Sequence, residues 1–135
     1  MRSLVLLNFF KFLPLDAEHV ENCPHGDDPG LVVVTASEHR DLHWCYVGRA
    51  DHSLRDLVKS IVENPGPLRE SLASGAHFAT TVVRDPEDRA AAESYLVQEL
   101  APCHKEATLP SPAGVDCKLK FYGNAIGRPE YTPRH

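Results

Sequence analysis

Hydrophobic and β-branched residues are concentrated in two stretches that a polar connection separates. Residues 31–35 read Leu-Val-Val-Val-Thr, and residues 43–47 read His-Trp-Cys-Tyr-Val. Such residues are enriched in strands because their side chains pack well on a pleated, half-buried surface. The pattern therefore predicts two consecutive strands joined as an antiparallel hairpin.

The hydrophobic period changes after Ser53 to the spacing of one helix face. The apolar members of this face are Leu54, Leu57, Val58, Ile61 and Val62. An Asn-Pro-Gly-Pro run at 64–67 ends the helix, since proline cannot continue it. Residues 78–83 predict a third strand. Asp85, followed by a proline and acidic residues, then predicts the start of a helix that runs to about Leu100.

The order of predicted elements is helix, strand, strand, helix, strand and helix, followed by an irregular tail. The first helix covers residues 17–21 behind the capping residue Asp16. The strands are too few and the connections too short for a doubly wound parallel sheet. The sequence therefore predicts an α+β fold with a small three-stranded antiparallel sheet flanked by helices. We assign residues 1–105 to one domain with its N-terminal lead-in, and residues 106–135 to an irregular C-terminal tail with a candidate extra strand at 118–122.

Length and charge narrow the classes of function. A chain of 135 residues and 15.0 kDa can form one domain with a core. Its 14 Lys and Arg stand against 19 Asp and Glu, a formal net charge of −5, which excludes a wholly basic surface and leaves a local patch for DNA. The apolar run at 4–10 is much shorter than the roughly 20 residues of a membrane span. We therefore expect that this run does not cross a membrane and forms a buried strand or short helix. The cysteine usage described next adds the expectation of a cytoplasmic protein.

The cysteines are widely spaced along the chain, at Cys23, Cys45, Cys103 and Cys117. A chain of this size needs no disulfide to hold its core together, so we expect reduced thiols. No Cys-x-x-Cys pair is present, and structural zinc sites usually take their ligands from such pairs. The pattern favours buried thiols and surface histidines over a zinc site.

Two short motifs occupy the ends of the predicted hairpin. Pro29-Gly30-Leu31-Val32 begins its first strand, and Tyr46-Val47-Gly48-Arg49-Ala50 ends its second. With the helix and third strand that follow, and with Glu93 in the last helix, this order resembles the GIY-YIG nuclease family over roughly residues 12–105. The resemblance implies a GIY-YIG-like fold, a DNA substrate and a Mg²⁺ or Mn²⁺ ion.

Hydrolysis of a phosphodiester requires a divalent cation held by a carboxylate, a group that activates water, and a positive charge that faces the phosphate. Glu93 lies on the apolar stripe of its helix, where a carboxylate needs a partner. The resemblance implies that Glu93 holds the metal ion and that the Tyr46 hydroxyl lies beside the water. It assigns Gly30 and Gly48 as the motif glycines. Phosphate contact falls to Arg49 or, after a change of register, to Arg55.

Three positions depart from the family pattern. Val32 replaces the first motif tyrosine, Asp56 or Leu57 stands where the helix arginine is expected, and Lys105 replaces the terminal asparagine. Loss of one transition-state group commonly lowers a rate by roughly a hundredfold to a thousandfold. We therefore expect a catalytically degenerate domain that acts as a nucleic-acid-binding or interaction module.

Two alternatives stay open. The first is an active divalent-metal-dependent DNA endonuclease, and the second is a structural or regulatory domain that binds a protein partner. Nucleic-acid function requires the Tyr46 hydroxyl and the Glu93 carboxylate to line one cleft. If these two groups lie on opposite faces, the degenerate-module hypothesis and the endonuclease alternative both fail, and the family resemblance fails with them.

Overall fold

The middle of the chain folds as its hydrophobic pattern predicts. The computed structural model describes residues 3–9, 12–23, 25–38, 41–69, 75–100 and 115–121. The described elements are β1 (Ser3–Phe9), β2 (Leu13–Pro14), α1 (Ala17–Glu21), β3 (Gly30–Glu38), β4 (Asp41–Ala50), α2 (Leu54–Glu63), a 3-10 turn (Gly66–Leu68), β5 (Ala76–Val82), α3 (Pro86–Leu100) and β6 (Val115–Phe121). The α+β class, the hairpin and the three predicted helices are confirmed. Their signals are local, since each rests on side-chain period and caps.

The main sheet has four antiparallel strands in the order β2-β5-β3-β4, so the prediction of three strands is wrong. The additional strand, β2, is two residues long and pairs Leu13 with Phe78 and Pro14 with His77. Two residues carry no period, so no pattern in the sequence indicates this strand. The central strand is β3, which pairs with β4 on one side and β5 on the other.

A second, two-stranded sheet joins the two ends of the described chain. β1 runs parallel to β6, with Ser3 opposite Val115 and Phe9 opposite Phe121. The N-terminal apolar run is therefore a strand, but it is buried only on the face of Val5, Leu7 and Phe9, since Leu4 and Leu6 are exposed. The candidate strand near the C-terminus is confirmed over a slightly earlier range. Pro102, Cys103 and Lys105 lie outside the described residues.

Both faces of the main sheet are buried, which explains why residues 31–34 are apolar without alternation. One face, the α3-side core, packs against α3 and β1. Its main members are Leu31, Val33, Val47, Ala79, Ala92, Leu96, Val5 and Leu7. The other face, the α2-side core, packs against α1 and α2. Its main members are Val32, Val34, Cys45, Phe78, Val20, Leu54, Val58 and Ile61.

The thiol of Cys117 on β6 is half-buried against the α3-side core. Burial first, and then the charges of Asp88 and Asp116, raise its pKa to about 11. Only the thiolate reacts, so iodoacetamide at pH 8 is expected to alkylate Cys117 roughly tenfold to a hundredfold more slowly in the folded than in the urea-unfolded chain. The rate should rise up to about pH 11. Peptide mass mapping measures the alkylation rate of Cys117. Equal rates at pH 8 in the folded and the urea-unfolded chain would contradict a half-buried thiol with a raised pKa.

Candidate functional site

Tyr46 lies on the face of β4 that belongs to the α2-side core. Tyr46 pairs with Val34 of β3, and Val34 pairs with Phe78 of β5. The Tyr46 side chain packs against the α2-side core, to which Val34 and Phe78 belong. A Cβ atom added to Gly48 would lie 2.5 Å from Cε2 of Tyr46 and 2.8 Å from its hydroxyl oxygen. The tyrosine ring therefore covers Gly48. The motif glycine leaves room for this ring, which is a packing reason for glycine at this position.

Arg49 points to the opposite face of β4. Side chains alternate along a strand, and Tyr46 and Arg49 are three positions apart, so they lie on opposite faces. Arg49 is opposite Leu31 of the α3-side core, and its Nη1 lies 3.5 Å from Oε1 of Glu93. The structure thus brings Arg49 and Glu93 together, and it places the pair across the sheet from Tyr46.

The Arg49–Glu93 pair is part of a larger ionic network. Nε of Arg49 lies 3.3 Å from Oδ1 of Asp51, and Nε of Arg89 donates a hydrogen bond of 3.1 Å to the same oxygen. Glu93, Arg49, Asp51 and Arg89 form a continuous set of alternating charges, which we call the arginine–carboxylate row. The side chains of Arg49 and Glu93 are 29% and 19% exposed. Two guanidinium groups therefore compensate two carboxylates at the edge of the α3-side core.

This arrangement does not fit a divalent cation at Glu93. Mg²⁺ and Mn²⁺ need several oxygen ligands around the ion. Here a guanidinium group already faces the Glu93 carboxylate, and the nearby Asp51 is shared by two arginines. In the part of the chain that the structure describes, no three His, Cys, Asp or Glu side chains are grouped so that they could hold a metal ion.

Arg55 lies on the α2 side of the sheet, in the first turn of α2. Its Nη1 donates a 2.6 Å hydrogen bond to Oδ1 of Asp27, and its guanidinium lies against Gly26. The Ser53 hydroxyl also donates to the Gly26 carbonyl oxygen, at 2.8 Å. These contacts fasten the loop before β3 to the start of α2. The structure does not bring Arg55 to Glu93.

Among the residues that depart from the family pattern, Val32 lies in the α2-side core and Leu57 packs at its border. Val32 is fully buried between Gly48 and Thr80 of the neighbouring strands. Leu57 packs at the border of the α2-side core, while Asp56 is exposed and its backbone N–H donates to the Ser53 hydroxyl. At the positions where the resemblance would place polar groups near a phosphate, Val32 and Leu57 pack against other residues, and Asp56 takes part in the N-terminal cap of α2.

Sequence reasoning missed two members of the arginine–carboxylate row, Asp51 and Arg89. Arg89 is only 5% exposed, and its Nη1 donates to the carbonyl oxygens of Val83 and Arg84. A signal was present, since Arg89 precedes Ala92 and Leu96 by three and seven positions and so shares their buried helix face. Gly30, the motif glycine after Pro29, is the first residue of β3 and lies where the backbones of β3 and β5 approach closely.

The chain was compared with protein families, curated proteins and solved structures. No protein-family model matches the chain, and no curated protein and no solved structure is found to be similar. Among the described residues, no helix has the length and apolar character that crossing a membrane requires.

Proposed function

We propose that this chain is a non-cleaving interaction domain and that its partner is a protein. The order hairpin, helix, strand and helix is the one that the resemblance implies, but the two groups of the implied site do not share a cleft. The observation that carries the proposal is the pairing of Glu93 with Arg49 on the face opposite Tyr46. The acid and the phenol that would act together in hydrolysis are separated by the sheet.

Phosphodiester cleavage needs its groups within hydrogen-bond reach of one another. Tyr46 covers Gly48 in the α2-side core, whereas Glu93 is compensated by a guanidinium group in the α3-side core. Neither group can assist the other without a rearrangement of packed layers. This separation supports a domain that binds without cleaving.

The candidate phosphate contacts also favour a protein over DNA. Arg49 is paired with Glu93 and Asp51, and Arg55 is paired with Asp27. Binding to DNA releases counterions in proportion to the number of phosphates that cations neutralise. Arginines that are already paired with carboxylates contribute little to this counterion release. The chain as a whole also has a net charge of −5, which disfavours binding to DNA. A protein partner is therefore the better match.

Incubation of the purified chain with plasmid and single-stranded DNA, with MgCl₂ or MnCl₂, tests this proposal. We expect no cleavage above that of Glu93→Ala, because Glu93 is engaged by Arg49. Glu93→Gln serves as a second variant with nearly unchanged side-chain volume, and thermal unfolding checks that both variants fold. Cleavage by the wild-type chain that Glu93→Ala abolishes would contradict the proposal and favour the endonuclease alternative. DNA affinity that falls steeply with salt would favour a nucleic-acid partner.

A further inference from the structure

Among the described residues, β5 is paired on one of its two sides over only part of its length. β3 covers the other side along the whole strand, but β2 reaches only Phe78 and His77. The backbone N–H of Leu15 donates to the carbonyl oxygen of Ala76 at 2.9 Å, so even-numbered residues direct their backbone groups toward β2. By this alternation, Thr80 and Val82 direct N–H and C=O groups to an edge that no described strand covers.

A groove of about 510 Å³ runs along this edge. Leu6 and Asn8 of β1 form one wall, Leu13 and His25 form the other, and residues 78–82 form the floor. Leu6 is 53% exposed although it is large and apolar. Proteins normally cover or charge an open strand edge, since its backbone groups pair readily with another strand. An open edge beside apolar walls has the features of a site that receives an extended segment.

Cationic side chains lie at one end and beside one wall of the groove, in a chain of negative net charge. The Arg84 side chain is 71% exposed at one end of the groove, where it pairs with Asp28. On the wall formed by β1, the exposed Lys118 is the β6 neighbour of Leu6, and Lys120 is the neighbour of Asn8. If a second copy of this chain bound here through the same edge, these cations would face the same cations of the other copy. An acidic segment complements them.

We propose that this groove binds an extended segment of a protein partner, with alternating apolar and acidic residues, which adds to the main sheet along β5. This inference rests on the proposed function and names the partner's chemistry. Backbone groups of Thr80 and Val82 pair with the segment. Since successive side chains of a strand point to opposite faces, its apolar side chains pack on the wall that contains Leu13, and its carboxylates face Lys118 beside the wall formed by β1.

Two fluorescein-labelled octapeptides test the inference on the full chain. One alternates valine with glutamate, and the other alternates valine with lysine. Fluorescence anisotropy is expected to show saturable binding of the glutamate peptide below about 1 mM, and at least about tenfold weaker binding of the lysine peptide. Amide NMR shifts should be largest at Thr80 and Val82.

Matched variants separate backbone pairing from charge. Val82→Pro removes one edge N–H and is expected to weaken binding about tenfold more than Val82→Ala, which shortens the same side chain but keeps that N–H. Lys118→Glu should weaken binding about fivefold. Lys59→Glu, an equal change of charge at an exposed position on α2, should leave binding unchanged. Lys118 is exposed, so Lys118→Glu is expected to fold and tests the groove even if Val82→Pro does not fold.

Several outcomes would overturn the inference. Equal binding of both peptides, shifts away from β5, or the same loss in Lys118→Glu and Lys59→Glu would each exclude the groove as an acidic-segment site. A concentration-dependent mass in light scattering that Val82→Pro abolishes would assign the edge to a second copy. If neither peptide binds and DNA is not cleaved, this inference fails while the proposed function is retained. Cleavage that depends on Glu93 would instead overturn the proposed function.

Discussion

Arg89→Ala is expected to lower the free energy of unfolding by roughly 3 kcal/mol. Arg89 is 5% exposed, and its guanidinium donates to the Val83 and Arg84 carbonyl oxygens at 3.1 and 3.0 Å and to Asp51 at 3.1 Å. These bonds tie the first turn of α3 to the end of β5 and to the turn after β4. Alanine leaves the carbonyl oxygens without this donor and leaves a cavity in place of the buried side chain.

Chemical denaturation monitored by circular dichroism measures this loss. Arg69→Ala removes an arginine that is exposed after the 3-10 turn, and it is expected to change stability by no more than about 0.5 kcal/mol. Arg89→Lys keeps the charge but loses the planar fork, so it should fall between wild type and Arg89→Ala. Similar stability for Arg89→Ala and Arg69→Ala would show that the row does not hold α3 in place.

Gly30→Ala is expected to lower the free energy of unfolding by roughly 3 kcal/mol. A Cβ atom at this position would overlap the Thr81 carbonyl oxygen, and it would lie 3.0 Å from the Thr81 carbonyl carbon and from Cα of Val82. All of these atoms belong to the backbone of β5. Relief of the overlap requires separation of β3 from β5, and the sheet pairing depends on that contact.

Gly48→Ala is the matched comparison on the other side of β3. The atoms that its Cβ would meet belong to the Tyr46 ring, which can rotate away from the strand. We expect a loss of about 1 kcal/mol, clearly smaller than that of Gly30→Ala. Urea denaturation of both variants measures the difference. Equal losses would contradict the close approach of β3 and β5 at Gly30.

The parts of the fold that the sequence predicts are those with local signals. The hairpin follows from β-branched residues, and α2 follows from apolar spacing after the cap Ser53, whose hydroxyl accepts from the Asp56 N–H at 3.2 Å. β2 was not predictable because two residues have no period. The pairing of β1 with β6 was not predictable either, because it joins residues about a hundred positions apart through tertiary packing.

The candidate site shows the same division. The sequence predicts that side chains alternate between the two faces of β4, and this alternation places Tyr46 and Arg49 on opposite faces. Which helix covers which face was not readable, since both α2 and α3 follow strands and both carry apolar residues. The side of Glu93 is set by the packing of Ala92 and Leu96 against the α3-side core, and only that packing shows that Arg49 is its partner.

A crystal structure of the chain soaked in MnCl₂, with anomalous data for manganese, tests the separation of Glu93 from Tyr46 most directly. We expect the Arg49 guanidinium against the Glu93 carboxylate, the Tyr46 ring over Gly48 on the other face of the sheet, and no manganese peak at Glu93. A manganese ion bound by Glu93, with the Tyr46 hydroxyl in the same cleft, would contradict the non-cleaving assignment.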